Sequence, residues 1–336
     1  MAASRPELQR PSAVPPLSQR LLHRLPGPRP IWVALWGLLA PIRLGIHVLV
    51  LQATDTWNPD HDYLNSALRQ ATLGYVVIVV LWFGPIVIRR IQELEPRLDD
   101  LAASHPAAGW FPRLTSVGGP VVLAALVVAA SIPNNYTVFG PIVAMLDIPL
   151  LFVVLVPIMS FVWAYGTLLV GLDRLGRAEL RLDAFPQDRA LGLGPVGSAA
   201  MSGFWLLFLS ATPVLVVAGS DLTTVAVAIT VLVVTIGLFV LSMFRLHGQM
   251  QAAKARFVDE ARTLVAEAYA PVRASTDLAT LESSSPALSA AQSLLDRAEK
   301  LLEWPIDERM VTWMTVVATG VITSLVVRFV LEALGA

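Results

Sequence analysis

Four threonines near the end of the chain, Thr312, Thr315, Thr319 and Thr323, recur at intervals of three and four residues. That spacing puts them along one face of a helix. Most of their neighbours between 309 and 334 are Val, Ile, Leu, Met and Phe. A row of hydroxyls on an apolar helix either lines water or lets a second helix approach closely. The first alternative would make these four residues the wall of a path for small ions. The second would make them packing.

Ionisable residues inside apolar stretches are the next candidates, because such groups are costly in a bilayer and face a bundle interior or a wet cavity. Arg43 and His47 lie one helical turn apart within 31–52. Asp147, expected at the outer end of a later span, is a candidate partner for His47. Arg328 has Glu332 one turn beyond it, which allows mutual pairing or extension of the arginine toward the surface. Asp55, Asp60, His61 and Asp62 form an acidic cluster that would concentrate cations at a pore mouth. One histidine among adjacent aspartates lacks the spacing of a metal site, and neither a metal nor a cofactor is expected. With no cysteines in the chain, thiolate chemistry is excluded. Metalloprotease, serine-hydrolase and Walker signatures are absent, so the chain reads as a non-enzyme. Asn135-Tyr136-Thr137 fits the glycosylation pattern.

Gly192, Gly194 and Gly197 match G-x-G-x-x-G literally. Pro195 inside the motif and the apolar run after it are incompatible with a dinucleotide-binding βαβ unit. The wider run Phe185-Pro186-Gln187-Asp188-Arg189-Ala190-Leu191-Gly192-Leu193-Gly194 resembles a loop of an uncharacterised family of bacterial multi-pass membrane proteins. In that family a histidine stands at the position of Gln187 and a glycine at that of Leu191. The resemblance implies a prokaryotic polytopic protein and no activity; the expected location is the cell membrane, as a multi-pass protein of a bacterial inner membrane. Physically, Asp188 and Arg189 would fasten the loop at headgroup level while Gly192 and Gly194 permit a tight entry into the next helix. A cytoplasmic ligand or ion site is the alternative.

These residues need a scaffold, and composition supplies its class. The 336-residue chain is 55% hydrophobic and 15% charged, with a mean hydropathy of +0.66; soluble domains carry about 25% charge. Apolar segments at about 31–52, 72–90, 114–133, 148–172, 197–219, 222–244 and 309–334 each approach the ~20 residues needed to cross a bilayer. The third is interrupted by Gly118, Gly119 and Pro120. The expected fold is an all-α polytopic bundle of about seven spans. Of 24 basic residues, 21 fall before span one or between spans two and three, four and five, and six and seven. The opposite loops hold Asp55, Asp60, Asp62, Asp147 and Asp221. By the positive-inside rule the N-terminus is cytoplasmic and the C-terminus outside.

Residues 1–30, rich in Arg and Pro, read as a disordered cytoplasmic tail, with some likeness to a transit peptide. Residues 31–244 form a six-span bundle, 245–308 a cytoplasmic helical hairpin, and 309–336 the terminal span. Met250, Ala253, Phe257, Ala261, Leu264 and Ala268 continue span six as an amphipathic helix. Pro271 and Ser283-Ser284-Ser285 mark the turn, and Pro286 opens a returning helix with Leu288, Ala291, Leu295, Ala298 and Leu302 as its stripe. Seven spans with a long cytoplasmic connection before the last is a plan similar to that of insect odorant and gustatory receptor channels, which implies a terminal helix lining a tetrameric pore. The expected protein is a homo-oligomeric, channel-like membrane protein passing small ions, with the lipid bilayer as its other partner and no nucleic acid. The alternative is a non-conducting scaffold or sensor whose hairpin binds a partner.

Overall fold

The computed structural model describes residues 15, 17–54, 63–103, 109–182, 189–217, 222–274 and 278–306, together with 312, 315, 316, 319, 320, 323 and 327. Among them every regular element is helical, and the sole strand-like feature is an isolated bridge between Ala102 and Leu180. The helices are α1 (Leu17–Arg24), α2 (Arg29–Ala53), α3 (Tyr63–Leu101), α4 (Gly118–Arg177), α5 (Gly194–Val217), α6 (Leu222–Ala274) and α7 (Leu278–Glu299). Six segments are long and apolar enough to cross a bilayer: Arg29–Ala53, Tyr63–Leu101, Gly118–Thr137, Gly140–Arg177, Gly194–Pro213 and Val233–Ala274. They correspond to the first six expected spans and make the chain a multi-pass membrane protein. Of the seventh, 309–334, seven residues are described, so Arg328 and Glu332 lie outside the described residues, as do Asp55, Asp60, His61 and Asp62.

The chain divides into two compact units, and α3, α4 and α5 each contribute to both.

The first unit holds α1, α2, most of α3 and most of α4. Pro28 caps α2 and a proline sits in its first turn, where the missing N–H has no helical partner to lose. At the other end Thr54 closes the helix, its N–H and hydroxyl both donating to the carbonyl of Val50. The α2 and α3 backbones meet at Gly37 and Gly74. A Cβ on Gly74 would strike the Gly37 carbonyl, and one on Gly37 would strike Ile78. Small residues at such a crossing let dispersion contacts replace the hydrophobic drive that lipid removes. Beside it Leu22, Val33, Ala40, Val77, Leu81 and Val154 form one buried cluster. Leu22 belongs to α1, whose Leu17 and Leu21 pack on a neighbouring cluster. Residues 17–24 of the expected disordered tail are thus a docked helix. Its leucines find apolar partners, and Arg20 donates to the carbonyls of Pro15 and Thr115.

Helix α4 is two arms. Gly118-Gly119-Pro120 opens the first arm where the sequence suggested a break, since proline is suited to a first turn. Gly140, at φ 79° and ψ 173°, interrupts the helix in a region open to glycine. Ala124 and Val128 of the first arm share a cluster with Leu151, Leu155 and Val156 of the second. Gly119 lies against the Trp163 indole. Pairings that converge on Gly140 from both sides describe an antiparallel helical hairpin. The second arm starts at Gly140, eight residues before the expected boundary, so Asp147 lies within the helix and not at its outer end.

The second unit contains the ends of α3 and α4, the start of α5, and α6 and α7. Trp110 is tied to the end of α3, its backbone N–H donating to Glu95 and its indole N–H to Asp99. Gln249 of α6 donates its amide to the carbonyls of Gly176 and Ala178, satisfying acceptors that a helix terminus leaves open. Helix α6 is 53 residues, about 80 Å at the usual rise, and α7 packs against it. The packed stripe includes Met250, Ala253 and Ala261 on α6 and Ala291 and Ala298 on α7; Leu264 remains exposed. Helix α6 runs through Pro271 to Ala274, and α7 begins at Leu278 and continues through Ser283–Ser285 and Pro286. Pro271 and the three serines therefore lie inside helices and do not form the turn. Pro286 removes one backbone donor from α7 without ending it.

Candidate functional site

The buried face of α2 runs Val33, Gly37, Ala40, Arg43, His47 and Leu51. Two ionisable residues therefore occupy positions that a helix of this kind fills with apolar ones. Both point at Asp147 in the second arm of α4. Arg43 Nε lies 2.7 Å from Asp147 Oδ1, and His47 Nε2 lies 2.7 Å from the same oxygen. Asn135, in the first arm, donates its amide to Asp147 Oδ2 at 2.6 Å. The Asp147 residue is 0% exposed, His47 2% and Arg43 7%. Arg43 and Asp147 form a buried ion pair, and in a low-dielectric surround that attraction is strong. Arg43 Nη1 is buried with no hydrogen-bond partner among the described residues.

One carboxylate thus joins α2 and both arms of the α4 hairpin. Arg43 and its carboxylate neutralise each other, and His47 adds charge only when protonated. Sequence reasoning found Arg43, His47 and Asp147 but missed Asn135, which read only as part of a glycosylation pattern. Its spacing of twelve from Asp147 across a Gly140-Pro141 turn was the available signal. Among the described residues no group of three or more His, Asp and Glu is placed to hold a metal.

The glycine loop plays a different part. Asp188 lies outside the described residues, and Arg189 is exposed. Leu191 adopts φ 56° and Gly192 φ 84°, both left-handed, which for leucine is strained. That bend buries Ala190, Leu191 and Leu193 before Gly194 opens α5, whose Val196 is buried as well. The loop receives the segment after α7. The N–H of Leu302 donates to the Arg189 carbonyl at 2.9 Å, and Gly197 lies against the Pro305 carbonyl. From the other side, His247 of α6 stacks on Trp304 with ring centres 4.1 Å apart and planes 13° from parallel. Its Nδ1 meets the Glu303 carbonyl at 2.7 Å, and Lys254 pairs with the Glu303 carboxylate at 3.2 Å. His247 and Lys254 were not legible as partners of Trp304, because the pairing depends on α7 returning the chain along α6.

Beyond this segment Thr312, Thr315, Thr319 and Thr323 are all helical and all exposed, as are Val316, Gly320 and Val327 on the same face. The structure therefore shows three separate features: a buried charge cluster, a clamped segment and an exposed threonine face. Comparison with protein-family models, curated proteins and solved structures finds no match to this chain.

Proposed function

We propose that the protein is a homo-oligomeric, channel-like membrane protein, with the terminal helix of each copy lining a path for small ions. The observation that carries this reading is the exposure of all four threonines on one face, together with Gly320. A row of hydroxyls gains little from lipid, and its physical uses are water and the same face of another copy. The arrangement of the arginines supports a cytoplasmic N-terminus and a cytoplasmic α6–α7 hairpin, with the C-terminus outside.

The test is ion flux from proteoliposomes holding purified protein, beside mass measurement of the detergent-solubilised particle. The channel reading expects flux above that of empty vesicles and a particle larger than one copy. A monomer without flux overturns it.

A second reading has its own observation. Leu264 and Tyr269 are 45% and 50% exposed on the distal part of α6, and they favour a scaffold or sensor whose hairpin binds another protein. A monomer without flux would turn attention to that surface.

A further inference from the structure

The segment Leu301–Ile306 joins α7 to the terminal helix, and its contacts are dense for a connection. Leu301 and Ile306 are buried. One side is bonded to the strained 189–197 loop through Leu302 and Pro305, and the other to α6 through Glu303 and Trp304. Tryptophan followed by proline reads in sequence as a hinge. In the structure it is held from both sides, with a ring stack, an ion pair and two backbone carbonyl contacts.

We propose that this segment is a mechanical link, through which displacement of α6 or of the 189–197 loop is passed to the terminal helix. It deepens the channel reading by naming the regulation of that same path, and it rests on that reading for its consequence and for its flux measurement, though not for the Thr312→Cys test. The physical argument is that packed elements shift between discrete arrangements and do not deform smoothly. A short connection with both flanks bonded must move with them. The left-handed Leu191 stores strain beside the Arg189 carbonyl that accepts from Leu302, so the loop side of the clamp is the strained side. His247 serves two contacts at once, stacking on Trp304 and meeting the Glu303 carbonyl. Losing His247 therefore removes both the stack and a contact to the backbone of the link.

The chain has no native cysteine, so Thr312→Cys reports on the terminal helix alone. The rate at which a water-soluble thiol reagent modifies it is measured in reconstituted full-length protein. It is read with His247 and Trp304 intact, with His247→Ala, with Trp304→Ala, and with both. The link expects each single change to alter the rate by about fivefold, in the range that loss of an aromatic contact allows, and the double variant to add little further. Trp304→Phe, which keeps a stacking ring, should stay near the parent rate and guards against misfolding as the cause. A second measurement joins the other flank: Arg189→Cys with Leu302→Cys in the otherwise cysteine-free chain. Oxidation should lower ion flux, and a reductant should restore it. A Thr312→Cys rate unchanged by Trp304→Ala, or single effects that multiply in the double variant, overturns the link. Because the modification rate is read whether or not the protein conducts, absence of flux would sink the channel reading and leave the link standing.

Discussion

Asp147 and Arg43 meet at 2.7 Å inside the first unit, and through that contact α2 is joined to the α4 hairpin. Removing one partner leaves the other charge buried and unpaired, a loss of about 3–5 kcal/mol. Asp147→Ala and Arg43→Ala should each lower stability by that order in detergent denaturation. Arg43→Met combined with Asp147→Leu should cost much less than the sum of the single changes, since well-packed apolar residues replace a buried pair at little cost. Additive losses would mean that the pair is not coupled.

The Gly37–Gly74 crossing makes a steric prediction. Any side chain at Gly74 meets the Gly37 carbonyl, so Gly74→Val should destabilise by at least the ~1–3 kcal/mol usual for overpacking. Gly45, on the same α2 helix, has open space around its Cβ position, and Gly45→Ala should be neutral or stabilising by up to ~1 kcal/mol. Thermal unfolding of the two variants side by side checks this.

Gly197 and Gly248 form a similar contrast in the second unit. A methyl group at Gly197 strikes the Pro305 carbonyl, whereas one at Gly248 meets nothing within 4 Å. Limited proteolysis should cut the 301–306 region faster in Gly197→Ala than in the parent, and at the parent rate in Gly248→Ala. Equal cutting of all three would contradict the seating of this segment on the loop.

The cationic asymmetry predicts topology. Reporter fusions or thiol labelling should place Arg262 on the cytoplasmic side and Asp60 on the opposite one. Finding both on one side would remove the basis for a cytoplasmic hairpin.

Much of the architecture was legible because apolar runs of bilayer length leave few alternatives to a helix. Arg43 and His47 stood out for the same reason, as charges where lipid-scale hydrophobicity is otherwise unbroken. Boundaries were harder. Gly118-Gly119-Pro120 reads as an interruption and opens a helix; Pro271 and Ser283–Ser285 read as a turn and are helical. Local propensity is ambiguous there, and contacts with distant residues decide. Asp147 reads as a span's end because the fourth apolar run is counted from Ile148. Only Asn135, Arg43 and His47 converging on it from elsewhere explain its burial. The seating of Trp304 depends on residues more than fifty positions apart, beyond any local pattern.

A threonine face that borders an ion path is tested by the conductance of reconstituted Thr319→Cys protein before and after a charged thiol reagent, with the cysteine-free parent as control. Modification of Thr319→Cys should block or markedly alter conductance while the parent is unaffected. Complete modification with conductance unchanged would contradict it.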